Sequence, residues 1–447
     1  MKKIAQTSVF MSLLFAFAAC SWQMPENVSV KTKADYEFSL GTFEKELAEE
    51  LSLDSMMGNT GEGNQDITTL DYYPGKLDKN TQHYLLQVKV LEMNYSTAAG
   101  TQTTIESAVN GLADGESLNL ATVLGTSANI SETSVGLDFN PKTMMDGMKD
   151  ALGSDLSGKI EYASVPMYLY CESTNGLTAD ATLKMFYGDK PTGSNPITKR
   201  GGTEITVLDG DEITRTPRPA FEKEGDTVIT NLAEKACIGN QPVEINTLVN
   251  NTASSIQDGD QLCISYAISD IGGSITKADA LEGIKIVIYA VIDLPLKFNV
   301  TASDGVKIDI NDLTDSNTGS GSSENSDDKE DLKKYLKVID SISIKYVAYK
   351  LPFYATSGMK LGIDMVGNGG YEYAPLATVD KSKKISSSDK GTITLSYTTI
   401  EKVKEISNFN PKIQVLMVEN TCFSVPREKA VEMNIELAIK TDGEVEL

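Results

Sequence analysis

One histidine, His83, and five cysteines, Cys20, Cys171, Cys237, Cys263 and Cys422, are the side chains of this chain best suited to nucleophilic, acid–base or metal chemistry. A lone histidine leaves every His-rich metal site unsupplied and gives a serine or cysteine nucleophile one candidate base. His83 stands among polar residues at the start of an expected strand, where a surface or loop role outweighs a catalytic one. The four later cysteines are widely spaced with no Cys-x-x-Cys, which argues against a metal cage. In an exported chain Cys237 and Cys263, about 26 residues apart, form the expected disulfide, worth roughly 3 kcal/mol in a chain-entropy picture. The competing reading is four buried thiols, with Cys171 in the core of a strand. Carboxylates are abundant, but no pair stands out as a glycosidase acid and nucleophile. Asp209-Gly210-Asp211-Glu212 and Asp258-Gly259-Asp260 read as acidic hairpin turns, with weak Ca²⁺ binding as a minor alternative. No phosphate-binding loop, nucleophile elbow, zinc-protease or EF-hand pattern occurs. The expectation is therefore no catalytic, cofactor-binding or metal-ligating residue, and no enzyme.

Cys20 has a different chemistry. Lys2 and Lys3 form a positive start, Ile4 to Phe17 is mostly apolar, and Phe17-Ala18-Ala19-Cys20 closes the segment. Small residues directly before a cysteine are the pattern of a bacterial lipobox, in which cleavage frees Cys20 for acylation. The apolar run of about 14 residues is short of the ~20 a spanning helix needs. Each buried acyl CH₂ contributes about 0.8 kcal/mol, so two or three chains anchor stably where one does not. Residues 1–19 are thus read as a signal peptide and 20–30 as a tether. The membrane is the expected partner through this lipid, with a protein or lipid ligand as a further candidate.

The formal net charge is −23, from 63 acidic and 40 basic residues. That field repels phosphate backbones, so nucleic acid is not an expected partner.

Beyond the tether the chain reads mainly as β, with β-branched and aromatic runs punctuated by Gly, Asn and Asp. An opening strand is expected at 28–33. Thr42 to Leu51 has helical spacing, with Phe43, Leu47 and Leu51 on one face. Helices are also expected at 104–112, at 140–152 behind Asn140-Pro141, at 329–336 and at 399–406. Strands follow at 84–93, 160–170, 181–187, 205–208, 227–232, 262–267, 284–292 and 392–397. Val431 to Ile439 is the clearest half-buried strand, its apolar residues alternating with Glu432, Asn434 and Glu436. Residues 311–331 are almost free of apolar side chains and read as an acidic Ser/Gly linker or loop. The expected division is 31–310, with a candidate break near 155, then the linker, then a C-terminal β domain at 332–447.

A short internal repeat crosses that linker. Tyr289 with Leu294-Pro295-Leu296 matches Tyr346 with Leu351-Pro352-Phe353 at equal spacing. Gly305-Val306-Lys307-Ile308 and Gly358-Met359-Lys360-Leu361 then follow, displaced by four residues. The repeat implies tandem antiparallel modules, sandwich-like or barrel-like, with a few short helices.

The relaxed lipobox, the tyrosine-bearing β sequence and the low-complexity segment together resemble large surface lipoproteins of treponeme-type spirochaetes. That resemblance implies an envelope or cell-surface location, at the outer membrane, and a non-catalytic structural, adhesive or host-facing role. The rival expectation is lipid binding or transport through the apolar faces at Phe43-Leu47-Leu51 and Met144-Met145-Met148-Leu152.

Overall fold

In this computed structural model the described residues are 29–46, 70–73, 80–137, 139–140, 158–189, 197–219, 222–224, 227–229, 232–251, 254–257, 259–309, 338–351, 353–404, 412–426 and 430–446. Among the described residues the architecture is mostly β, with several antiparallel sheets and a few short helices. The first strands are β1 (Ser29–Glu46), β2 (Leu70–Tyr73), β3 (His83–Asn94), β4 (Ser117–Asn119), β5 (Ile130–Gly136), β6 (Ile160–Tyr162), β7 (Pro166–Ser173) and β8 (Leu177–Gly188). Next come β9 (Lys199–Ile213), β10 (Glu222–Glu224), β11 (Thr227–Ile229), β12 (Val243–Glu244), β13 (Gln261–Thr276), β14 (Lys285–Pro295), β15 (Lys297–Val300) and β16 (Val306–Asp309). The last are β17 (Ile339–Lys350), β18 (Tyr354–Ala355), β19 (Met359–Asp364), β20 (Glu372–Pro375), β21 (Gly391–Thr394), β22 (Lys412–Met417), β23 (Cys422–Ser424) and β24 (Ala430–Glu446).

Two layered units carry most of the core. One joins the sheet β12-β7-β14-β3-β2 to the sheet β4-β13-β8-β9, with β5 also on β13. The other sets β1-β24-β17-β21 against β16-β22-β19-β20. Strands β18-β23-β15-β6 form a further sheet, drawing on chain from both units, and β10 and β11 form a two-stranded one. Alternation explains the layering: Val431, Met433 and Ile435 of β24 are buried, as are Leu361 and Ile363 of β19 and Val415 and Met417 of β22. Tyr346 of β17 crosses the second layer and donates its hydroxyl to the Pro375 carbonyl. One continuous apolar core runs through both units.

The expected division at 311–331 does not separate the sheets. Strand β1 pairs with β24 along its whole length, with one register shift at Ser39/Gly41. Strand β16 pairs with β22, and β15 pairs with β23. Backbone donors and acceptors on both sides of the segment are thus satisfied by the other side. The segment itself, and the helix expected at 329–336, lie outside the described residues.

Pairing also corrects the helix expected at Thr42–Leu51. Residues 42–46 are the end of β1, opposite Asn434 to Ala430; residues 47–51 are not described. Propensity and periodicity are local, and a long complementary strand outweighs them. Helices do form at Gln102–Asn110 (α1), where Ile105 and Val109 are buried, at Leu120–Leu124 (α2), at Asn246–Val249 (α3), at Lys277–Glu282 (α4) and at Tyr397–Lys404 (α5). The helix expected at 140–152 falls outside the described residues beyond Asn140. Asp209-Gly210-Asp211-Glu212 is not a hairpin turn. It lies inside β9, where Gly210 (φ +73°) sits at a bulge opposite Ala181 and Thr182.

The internal repeat has a structural counterpart. Strands β15 and β18 flank β23, and Lys297 and Tyr354 both face Ser424. Strands β16 and β19 flank β22, and Val306 and Met359 both face Met417. The preceding glycines, Gly305 and Gly358, both have left-handed backbones, at φ +72° and +84°. A longer connection in the first copy absorbs the four-residue displacement.

Candidate functional site

Among the described residues, two concave sites and one polar pair gather groups that could do chemistry. The polar pair comes from adjacent strands. His83 opens β3 and pairs in register with Pro295, placing it beside Asp293 near the end of β14. His83 Nδ1 lies 3.0 Å from Asp293 Oδ1, and both side chains are mostly buried. The expectation of a surface or loop histidine is thereby corrected: cross-strand pairing supplies the carboxylate that no spacing in the sequence revealed. Beside the pair lies a small apolar cluster of Leu85, Tyr168, Tyr170, Leu232, Cys237 and Val291. Burial first, then Asp293, Cys237 and Glu244, push the Tyr168 phenol up to about 12. Burial likewise raises the Cys237 thiol and takes that of Cys171 up to about 11. Thiols held protonated are poor nucleophiles, so this cluster is built as a core.

The expected Cys237–Cys263 bridge is not formed, because Cys237 is a free, buried thiol. It belongs to the outer cluster against β7 and β14. Cys263 is on β13, opposite Phe186 of β8, in the other sheet. The two are on different layers. Cys171 is also free and buried, and Cys422 is free and exposed. Cys20 lies outside the described residues. No group of three or more potential metal ligands occurs among the described residues.

The first concave site is a groove of about 560 Å³ along the β7 edge. Its floor includes Leu169 and Leu208, and Asp211 and Glu212 stand on its rim. The Gly210 bulge shifts the register of β9 immediately before them.

The second and larger site is a cleft of about 960 Å³. Leu351, Phe353 and Val379 are its buried floor, and half-buried Tyr349 and Tyr354 are walls. Lys350, Lys381 and Lys383 also line it, with Asp380. Four stretches of chain meet there. Val379 N–H donates to the Ala348 carbonyl at 2.7 Å, tying the 378–383 loop to β17. The Ser424 hydroxyl donates to the Asn80 carbonyl at 2.8 Å. The Gln82 amide donates to the Pro426 carbonyl at 2.8 Å. Asp380 accepts from the Ser382 backbone N–H and hydroxyl at 3.0 and 2.8 Å, shaping the loop tip. Below the rim, the Lys381 ammonium donates to Glu432, whose side chain is only 6% exposed. Glu432 also faces Lys350 across the β24–β17 ladder. A residue that the strand pattern places outward is therefore buried under two lysines. Nothing in the spacing of Lys350, Lys381 and Glu432 signals this meeting, since register and loop path create it.

No protein-family model matches the chain, and no curated protein matches it. A crystal structure from Parabacteroides distasonis ATCC 8503, described as that of a candidate secreted protein, aligns over 92% of this chain and 100% of its own, at 11% identity and a TM-score of 0.34. At that score the fold rests on the strand pairing described above.

Proposed function

We propose that this chain is a lipid-anchored envelope or cell-surface protein with a non-catalytic binding role, of the adhesive or host-facing kind that the spirochaete resemblance implies. The observation that carries the anchoring is Phe17-Ala18-Ala19-Cys20 behind an apolar run, only a few residues ahead of β1 at Ser29. Two or three acyl chains on Cys20 would hold a largely β body close to a bilayer. Among the described residues no helix is long and apolar enough to cross a membrane.

A binding role is supported by the character of the sites. The polar groups of the larger cleft are set around an apolar floor, as in recognition sites. His83 is turned to Asp293 beside a packed cluster, and the neighbouring thiol of Cys237 is held protonated. The rival lipid-handling reading rested on two helical faces. Residues 42–46 of the first are strand, and Met144 to Leu152 lie outside the described residues.

Metabolic labelling with an alkynyl palmitate probe tests the anchor. The wild-type protein takes up the probe and enters the detergent phase, whereas Cys20→Ser does neither. Equal labelling of the two proteins overturns the anchoring.

A further inference from the structure

We propose that the cleft between β17, β18 and the 378–383 loop binds an acidic oligosaccharide, one carrying carboxylate or sulfate groups. The proposal rests on the surface-binding role above and names its ligand class.

Charge is the first argument. The chain as a whole is strongly acidic, at −23, yet among the described residues the cleft gathers Lys350, Lys381 and Lys383, with Asp380 in its lining and Glu432 beneath them, so the local balance is positive. Asp380 is engaged by Ser382 within its own loop. Glu432 is buried. It pairs with Lys381 and stands opposite Lys350, which leaves Lys383 as the lysine farthest from it along the loop. Lysines concentrated in a concave site with a low-dielectric floor focus the local field and draw anions against the repulsion of the whole molecule.

The walls are the second argument. Tyr349 and Tyr354 line the cleft and are half-buried. Aromatic faces beside hydroxyl and amide groups suit a ring that is apolar on its faces and polar at its edge, which describes a sugar. An extended peptide would instead use an unpaired strand edge. Here the adjacent backbone is already occupied, by Val379 N–H on the Ala348 carbonyl.

The repeat supplies an internal contrast. The residue equivalent to Lys350 in the first copy is Asp293, and His83 occupies the space beside it. The second copy has the opposite charge at this position and an open cleft. Its framework is also preorganised, since hydrogen bonds from 80–82, 348–379 and 424–426 hold the walls before any ligand arrives.

The test uses the full-length protein in detergent micelles and titration calorimetry. The probes are a hexameric oligogalacturonate, a heparin-derived hexasaccharide, neutral cellohexaose and poly-glutamate. One or both acidic sugars should bind, with affinity falling as salt rises. The Lys350→Gln/Lys383→Gln double variant should weaken that binding by roughly tenfold or more. Tyr354→Ala should weaken it without changing the salt slope. Lys383 is exposed and Lys350 half-buried opposite Glu432, so near-ultraviolet circular dichroism checks the fold of the double variant, and Lys383→Gln alone, weakening binding in the same direction, is the second variant. Failure of both acidic sugars to bind, equal binding of cellohexaose, equal binding of poly-glutamate, or binding indifferent to all three substitutions each overturns the proposal. Cys20→Ser should retain the sugar binding, so a failed anchor and a failed ligand site give different results.

Discussion

The two copies of the internal repeat meet the same partner strands and yet make different surfaces. The first runs through β14, β15 and β16, the second through β17, β18 and β19. Both place a residue opposite Phe423 of β23, but it is Phe298 in the first and Ala355 in the second. Phe298 stacks between Tyr162 and Phe423, at ring-centroid distances of 4.8 and 5.5 Å. In the second copy Phe353, one residue before β18, reaches Phe423 edge-on at 6.4 Å. The first copy thus fills its space with an aromatic stack and closes Asp293 under His83. The second leaves Tyr349, Lys350 and Tyr354 around an open cleft. Equivalent backbone positions therefore carry a filled aromatic stack in one copy and line an open cleft in the other. What differs is the neighbouring chain: β3 beside the first, and the 378–383 loop beside the second.

The sharpest way to break this comparison is Phe298→Ala. Loss of a buried aromatic side chain of this kind costs about 3–5 kcal/mol. Because β15 shares β23 with β18, urea unfolding should remain a single transition shifted to lower urea. Two separated transitions would mean that the copies belong to independent units. Ala355 in the second copy offers no such loss.

The turn glycines give a smaller effect. A Cβ on Gly305 would lie 2.4 Å from the Met417 carbonyl oxygen, a backbone atom that cannot step aside. On Gly358 it would meet the Thr421 hydroxyl at 2.1 Å. Both residues also have a left-handed backbone. Alanine at either should cost about 1–3 kcal/mol, with Gly305→Ala at least as costly as Gly358→Ala. Thermal denaturation of the two variants checks the order, and the reverse order would show that the two turns are not equivalent.

The smallest effect separates the polar residues at the equivalent positions. Removing His83 leaves Asp293, mostly buried, without its 3.0 Å partner. His83→Ala should therefore cost about 1 kcal/mol. Lys350→Gln leaves Glu432 its ion pair with Lys381 and should cost less than His83→Ala. Equal costs in denaturant titrations would remove the distinction between a buried carboxylate that loses its partner and one that keeps it.

Much of the local structure was legible from residue patterns. β-Branched runs located β3, β8, β13 and β14 to within a few residues or as parts of longer strands, and Ile105 and Val109 marked α1. The repeat could be read because Tyr, Leu-Pro and Gly keep their spacing wherever the strands lie. Other features were not legible because they depend on partners distant in the chain. Asp293 is 210 residues from His83, and Glu432 meets Lys381 across 51. Thr42 to Glu46 has helical spacing but lies opposite Asn434 to Ala430.

By itself the sequence determined the mainly β class, the acidic field, the alternation that buries Val431, Met433 and Ile435, and the turns that only glycine fits. These follow from side-chain period and backbone sterics, which act over a few residues. Tertiary structure alone decided that the strands on either side of 311–331 share sheets, that Cys237 and Cys263 lie on different layers, and that three lysines gather in one cleft of an acidic protein. Strand register and loop path set those distances, and both are chosen by the summed burial and hydrogen bonding of the whole chain.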